Sequence, residues 1–262
     1  AGKNAEGVLR EMWRRHSTDP QLGIRPNQNS YNAVINAWAK SEDDSASEHA
    51  DRILREMWER YEAGDKCVTP DTVSYNSLID AWSKSSHPEA GKNAEGILRE
   101  MWRRHSTDPQ LGIRPNQNSY NAVINAWAKS EDDSASEHAD RILREMWERY
   151  EAGDKSLAPD TISYNSLIDA WCKSSHPDAG KKTEDALHEM WRYSADPQLD
   201  IQPDETSHHS VINAWKNSGD PDASERTSKI LGKMWQSYLN GDKSLIDTWS
   251  TVRPIDETEN KS

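Results

Sequence analysis

Residues 1–66 and 90–155 are identical except that Val8 is matched by Ile97. A chain that repeats itself at this length builds like pieces and packs them on one another, since a single piece cannot bury its own apolar face. The period divides again. The tripeptide Ser-Tyr-Asn begins at Ser30, Ser74, Ser119 and Ser163, in steps of 44, 45 and 44 residues, and a decayed copy, Ser207-His208-His209, follows 44 residues later.

Each unit carries two helical patterns. Between Ser30 and Ser41 the apolar residues Tyr31, Val34, Ile35 and Trp38 fall at i, i+3, i+4 and i+7, one face of a helix. Ser30 is the expected N-cap, with Pro26 ahead of it. From about Ser47 to Tyr61, a second stripe is made by Ala50, Ile53, Leu54, Met57, Trp58 and Tyr61. Gly64-Asp65 ends that helix and Pro70 blocks its continuation. Glu42-Asp43-Asp44-Ser45 is the loop between the two, and a longer connector follows the second helix.

The pattern predicts five first helices, six second helices and no strands. The expected fold is all-α, a right-handed superhelical solenoid of stacked helix-turn-helix repeats. A single array is expected over 1–250: a leading half unit (1–27), units at 28–71, 72–116, 117–160 and 161–204, and a degenerate unit at 205–250. In that last unit Lys243-Ser244-Leu245 and Ile246-Asp247-Thr248-Trp249 echo Lys155-Ser156-Leu157 and Ile168-Asp169-Ala170-Trp171, with ten residues lost between them. A disordered tail is expected over 251–262. Beginning at Ala1 rather than Met, the chain reads as a piece of a longer protein.

Composition alone points elsewhere. Leu, Ile and Val number only 36 of 262 residues and the net charge is -13, which suits a disordered chain. The periodicity resolves the conflict, because the apolar residues sit on the two stripes and the twelve Trp supply area that Leu usually supplies. The Trp are accordingly expected in the core. No apolar run of about 18 residues exists to span a membrane. Two Cys exclude a disulfide scaffold. Cys67 and Cys172 are replaced by Ser156 and Ser83 in the matching copies, so neither reads as catalytic. His16, His49 and His87 recur as His105, His138 and His176 in loops or on polar faces, without metal-ligand spacing. No triad or acid pair stands out, so neither an enzyme nor a cofactor is expected.

The run Pro70-Asp71-Thr72-Val73-Ser74-Tyr75-Asn76-Ser77-Leu78-Ile79-Asp80-Ala81-Trp82-Ser83-Lys84, followed by Ala94-Glu95-Gly96-Ile97-Leu98-Arg99-Glu100-Met101, resembles the pentatricopeptide repeat family. The resemblance extends from residue 1 to about 240. Units of the family are usually about 35 residues; these are longer, in the loop and after the second helix, and unusually acidic.

The resemblance implies binding of single-stranded RNA, one base per unit. Its base-reading pairs would be Asn32 with Asp71, Asn76 with Asn116, Asn121 with Asp160, and Asn165 with Asp204. In the family Asn with Asp favours uracil and Asn with Asn accepts either pyrimidine. The side chains sandwiching the bases would be Asn29, Val73, Asn118 and Ile162, of which the two Asn depart from the usual aliphatic. Lys40, Lys84, Lys129 and Lys173 would meet phosphates. The fifth unit, with His209 and Asn217 at the matching places, is expected to read no base.

The acidity is spread evenly: residues 1–89 and 90–178 each carry 11 basic and 15 acidic groups, and the remaining 84 carry 10 and 15. Four Lys along a strand imply weak binding with a salt slope of roughly 3, at about 0.7 per phosphate. A monomer is expected, located in a mitochondrion or plastid on the resemblance alone. The competing expectation is a protein-interaction scaffold, its acidity matched to a basic partner. A surface lined by the tripeptide Asn and the terminal Lys would support RNA, and one lined by Glu and Asp a protein ligand.

Overall fold

A computed structural model of the chain describes residues 1–239, and among them no strand occurs. The expected end of the degenerate unit and the tail lie outside the described residues. The helices are α1 (Gly2–Thr18), α2 (Gln28–Ala39), α3 (Ala46–Glu62), α4 (Thr72–Ser83), α5 (Ala90–Thr107), α6 (Gln117–Ala128), α7 (Ala135–Glu151), α8 (Thr161–Lys173), α9 (Ala179–Tyr193), α10 (Glu205–Asn217) and α11 (Ala223–Leu239). Thus a leading second helix precedes five helix pairs, as the stripes predict.

The chain divides into two compact bodies, one ending at Ala158 and the other beginning at Pro159. In the first, α2, α4 and α6 lie side by side, and each packs on the second helices before and after it. In the second, α8 lies beside α10, α9 packs on both, and α11 packs on α10. Each body is thus a stack of helix-turn-helix pairs.

Ser30 is not the N-cap. Asn27 is, in an extended conformation (φ -132°, ψ -178°), and Ser30 stands at the third helical position. The Asn27 side chain accepts the Ser30 backbone N–H at 3.1 Å, while the Asn27 N–H donates to Ser30 Oγ at 3.3 Å. This reciprocal box satisfies donors that a helix start leaves orphaned. Asp71, Asn116, Asp160 and Asp204 cap α4, α6, α8 and α10 in the same way.

The Trp divide into two sets. Those of the first helices, Trp38, Trp82, Trp127, Trp171 and Trp215, are buried. Those of the second helices, including Trp13, Trp58 and Trp102, are half-buried, contrary to the expectation of core placement for all. An Arg guanidinium lies over each of these three, at 3.7–3.8 Å from the ring centroid, so a cation closes the edge that a neighbouring helix leaves open. His49 and His138 are not idle polar-face residues either. They stack on Trp38 and Trp127 with centroids 4.2 Å apart.

The connectors are packed, which explains how the added length is tolerated. Short 3-10 turns at Lys66–Val68 and Lys155–Leu157 drive Val68 and Leu157 to full burial.

Gly91 lies under the Trp127 indole, and a Cβ there would fall 2.5 Å from Trp127 Cε3. Gly96, in the same helix, has nothing within 4 Å of its would-be Cβ. Gly96→Ala is expected to stabilise by about 0.5–1 kcal/mol through helix propensity. Gly91→Ala is expected to destabilise by about 1–3 kcal/mol through overpacking. Thermal melts of the two variants must move in opposite directions.

Candidate nucleic-acid interface

The capping box does more than start each first helix. In the first body Asn32 donates from Nδ2 to Asp71 Oδ1 at 3.2 Å, and its Oδ1 accepts Ser74 Oγ–H at 2.6 Å. Asn76 repeats the arrangement with Asn116 Oδ1 at 3.2 Å and Ser119 Oγ at 2.6 Å. In the second body Asn165 Nδ2 donates to Asp204 Oδ1 and Oδ2 at 3.2 and 3.1 Å, and accepts Ser207 Oγ–H at 2.5 Å. Three expected reading pairs are therefore side chains in direct contact. The fourth is divided between the bodies: Asn121, 8 % exposed, belongs to the first and Asp160, the cap of α8, to the second.

These contacts come from a local requirement. The N-cap must point its side chain at the third residue of its own helix. That third residue is a Ser whose hydroxyl reaches the Asn of the unit before. A primary amide has two N–H donors and one oxygen acceptor. Asn32, Asn76 and Asn165 commit their oxygen to the Ser and donate to the cap, which fixes the orientation of the carboxamide. All three remain half-exposed.

One face of each first helix is solvent-facing. On α2 it runs Asn29, Ala33, Asn36, Lys40, and on α4 Val73, Ser77, Asp80, Lys84. Positions Asn118 and Lys129 of the third unit, and Ile162 and Lys173 of the fourth, follow the same order and are exposed. Val73 and Ile162 are 56% and 61% exposed, as are Val8 and Leu22 elsewhere on the chain at 61% and 55%. In the fifth unit His209 and Asn217 are exposed at the corresponding places.

The cations of this face are not equivalent. Lys84 Nζ lies 2.6 Å from Asp80 Oδ2, and Lys173 Nζ 2.6 Å from Asp169 Oδ2. Lys129 Nζ donates to the Ser83 carbonyl at 3.0 Å. Sequence reasoning passed over Asp80 and Asp169, although the i, i+4 spacing to Lys was there to read. It also missed the Ser hydroxyls that hold the carboxamides, because it placed those Ser at the cap.

The second helices carry much of the remaining charge, and it is largely paired. Glu11 takes Arg14 and Arg15 at 2.7 Å, and Glu100 takes Arg103 and Arg104 at 2.6 Å. Among the described residues no His, Cys, Asp or Glu cluster fit to hold a metal occurs, and no helix is long and apolar enough to cross a membrane.

Comparison with known proteins follows this geometry. A family model described as pentatricopeptide repeat domain matches residues 20–85 and 96–174, more than half of the chain, and a second, PPR repeat, matches 73–105. No curated protein matches. Among solved structures the chain is similar to the pentatricopeptide repeat protein PPR10 from maize, at 18% identity and a TM-score of 0.30. That similarity covers 93% of this chain and 39% of the maize chain, so the present chain spans well under half of its length.

Proposed function

The chain belongs to the pentatricopeptide repeat family, and from that premise we propose that it binds single-stranded RNA without catalysis, each of its first four units addressing one base. The observation that carries this reading is the repeated contact between a half-exposed carboxamide and the cap of the next helix, seen for Asn32, Asn76 and Asn165. Orientation is what a reading group needs. A carboxamide that swings freely offers donor and acceptor to any base edge, whereas a fixed one discriminates. Where the closing residue is Asp, as at Asp71 and Asp204, an added acceptor lies beside the amide and suits the imino N–H of uracil. Where it is Asn116, donor and acceptor are both offered and either pyrimidine fits.

Val73 and Ile162 would sandwich bases, with Asn29 and Asn118 in the weaker stacking positions. Lys40, Lys84, Lys129 and Lys173 would meet phosphates. The repeat array would span residues 1–250 with the unit boundaries given above. A mitochondrial or plastid location rests on family membership alone.

Titration against U-rich, C-rich, A-rich and G-rich RNA of about ten nucleotides at low salt tests the reading. Pyrimidine RNA, uracil foremost, is expected to bind at least about tenfold more tightly than purine RNA, which corresponds to about 1.4 kcal/mol. Asn76→Ala should reduce that margin. Equal weak binding to all four would turn the assignment toward a basic protein ligand.

A further inference from the structure

At two junctions of the first body a carboxylate ties consecutive second helices together over the first-helix indole between them. Glu6 accepts the Trp38 Nε1–H at 3.2 Å and takes Arg52 of α3 at 2.8 Å. Glu95 accepts the Trp127 Nε1–H at 3.1 Å and takes Arg141 of α7 at 2.7 Å. The junction of α3 with α5, over α4, lacks this tie. At the matching places stand Asp51, one methylene shorter, and Ile97, which has no charge to offer. Asp51 is held by Arg55 of its own helix. Trp82, the indole of this junction, is 7% exposed, yet its Nε1–H has no acceptor among the described residues.

The junction is therefore open. A groove of about 550 Å³ lies there, lined by Leu54 and Trp58 of α3, Tyr75, Leu78 and Trp82 of α4, and Ile97 of α5. That size, with apolar walls and few polar groups, is the character of a small-molecule site. Tyr75 adds a second donor. Its oxygen accepts the Trp58 Nε1–H at 3.0 Å, and its own hydrogen has no acceptor among the described residues. Tyr31 and Tyr120, by contrast, donate to Glu56 and Glu145 at 2.8 and 2.9 Å. Glu100, the counterpart here, is turned to Arg103 and Arg104. Seven residues of helix separate Tyr75 from Trp82, about 10 Å along the axis.

We propose that this groove binds a small carboxylate with an apolar, ring-bearing body. The carboxylate takes the place that Glu6 and Glu95 hold at the other junctions and accepts from Trp82 Nε1. The body lies on Leu54, Leu78 and Ile97 and reaches toward Tyr75. Complementarity selects the head group. A buried donor without an acceptor is costly, and in this body the protein itself meets the equivalent donors of Trp38 and Trp127 with a carboxylate. A charged acceptor also makes a stronger hydrogen bond than a neutral one. Arg55 and Lys92 also line the groove, but they already hold Asp51 and Glu89, so the indole N–H and not a spare cation decides the preference. None of the proposed base-reading Asn or terminal Lys lines this groove, so the proposal stands apart from the RNA reading.

Titration of the whole chain with phenylbutyrate, and with its uncharged amide, tests the proposal by the shift of the Trp82 indole N–H resonance. Trp82→Phe identifies that resonance by its loss. The acid is expected to bind at least about tenfold more tightly than the amide. In Trp82→Phe, which keeps a ring on the floor and removes the donor, acid and amide are expected to bind about equally, as followed by the methyl resonances of Leu78 and Ile97. Ile97→Arg places at this junction the side chain found at Arg52 and Arg141, and is expected to close the groove and weaken the acid at least about tenfold. A thermal melt shows that each variant is folded. Equal binding of acid and amide by the parent chain overturns the proposal. So does binding that Ile97→Arg leaves unchanged, or a Trp82 resonance that does not move with acid up to about 10 mM, a concentration that reveals even weak sites.

Discussion

Trp127→Ala is expected to lower stability by about 3–5 kcal/mol, as the loss of a fully packed aromatic does. Trp127 is 4% exposed. One side of its indole lies on Gly91, which has no side chain to intervene, and the ring stacks on His138 at an interplanar angle of 7°. Its Nε1 donates to Glu95 Oε2 at 3.1 Å. Glu95 also takes Arg141 at 2.7 Å, which ties α5 to α7. Burial alone would raise the Glu95 pKa, but hydrogen bonding and charge from Arg141, the Trp127 N–H and the Arg99 charge outweigh it, and the pKa is lowered. The substitution therefore opens a cavity and removes one donor from a carboxylate held between helices. Trp102→Ala is the control. Trp102 is half-buried and covered by Arg149, so roughly half the loss is expected. Denaturant unfolding that gives equal losses for the two would sink the division of the Trp into core and rim.

Helix count, order and stripes were legible because a 3.6-residue period survives any substitution that keeps the apolar face. The start of each first helix was misread by a specific competition. Asn, Asp and Ser are all good caps, and in Asn27-Gln28-Asn29-Ser30 two of them stand three residues apart. The geometry chooses the first, since a residue at the third position can still return a hydroxyl to the cap. The second-helix Trp were misplaced because periodicity gives direction and not depth. Trp58 points along the stripe but at its margin, where a single side chain of α5, Arg104, covers it rather than a packed apolar face. The role of His138 was hidden because nothing in sequence shows that a first-helix indole needs a ring over its far face. Of the candidate site, the family resemblance named the positions proposed to read bases. The packing that brings three of the pairs together depends on how one unit seats on the next, which no single unit encodes.

Replacing Asn32, Asn76 and Asn165 by Ala together is expected to weaken binding of pyrimidine RNA by about 100- to 2,000-fold. Each lost hydrogen-bonding group is worth about 1–1.5 kcal/mol, so three sum to roughly 3–4.5 kcal/mol before coupling. The same carboxamides also bond to the following unit, so part of the damage could fall on the fold. That part is small, because Ser74, Ser119 and Ser207 each retain the cap oxygen as a second partner, at 3.0, 3.2 and 2.9 Å. A melt of the triple variant measures it independently. Asn116→Asp separates reading from folding more sharply. Asp71 already caps α4 with the geometry that Asn116 uses on α6, so the helix start is preserved. The amide donor is exchanged for a carboxylate, and the second unit should shift from either pyrimidine toward uracil, with cytosine weakened by about tenfold at that one position of the RNA. A change in overall affinity without a change in base preference would mean that Asn76 and residue 116 hold the helices together and do not read the strand.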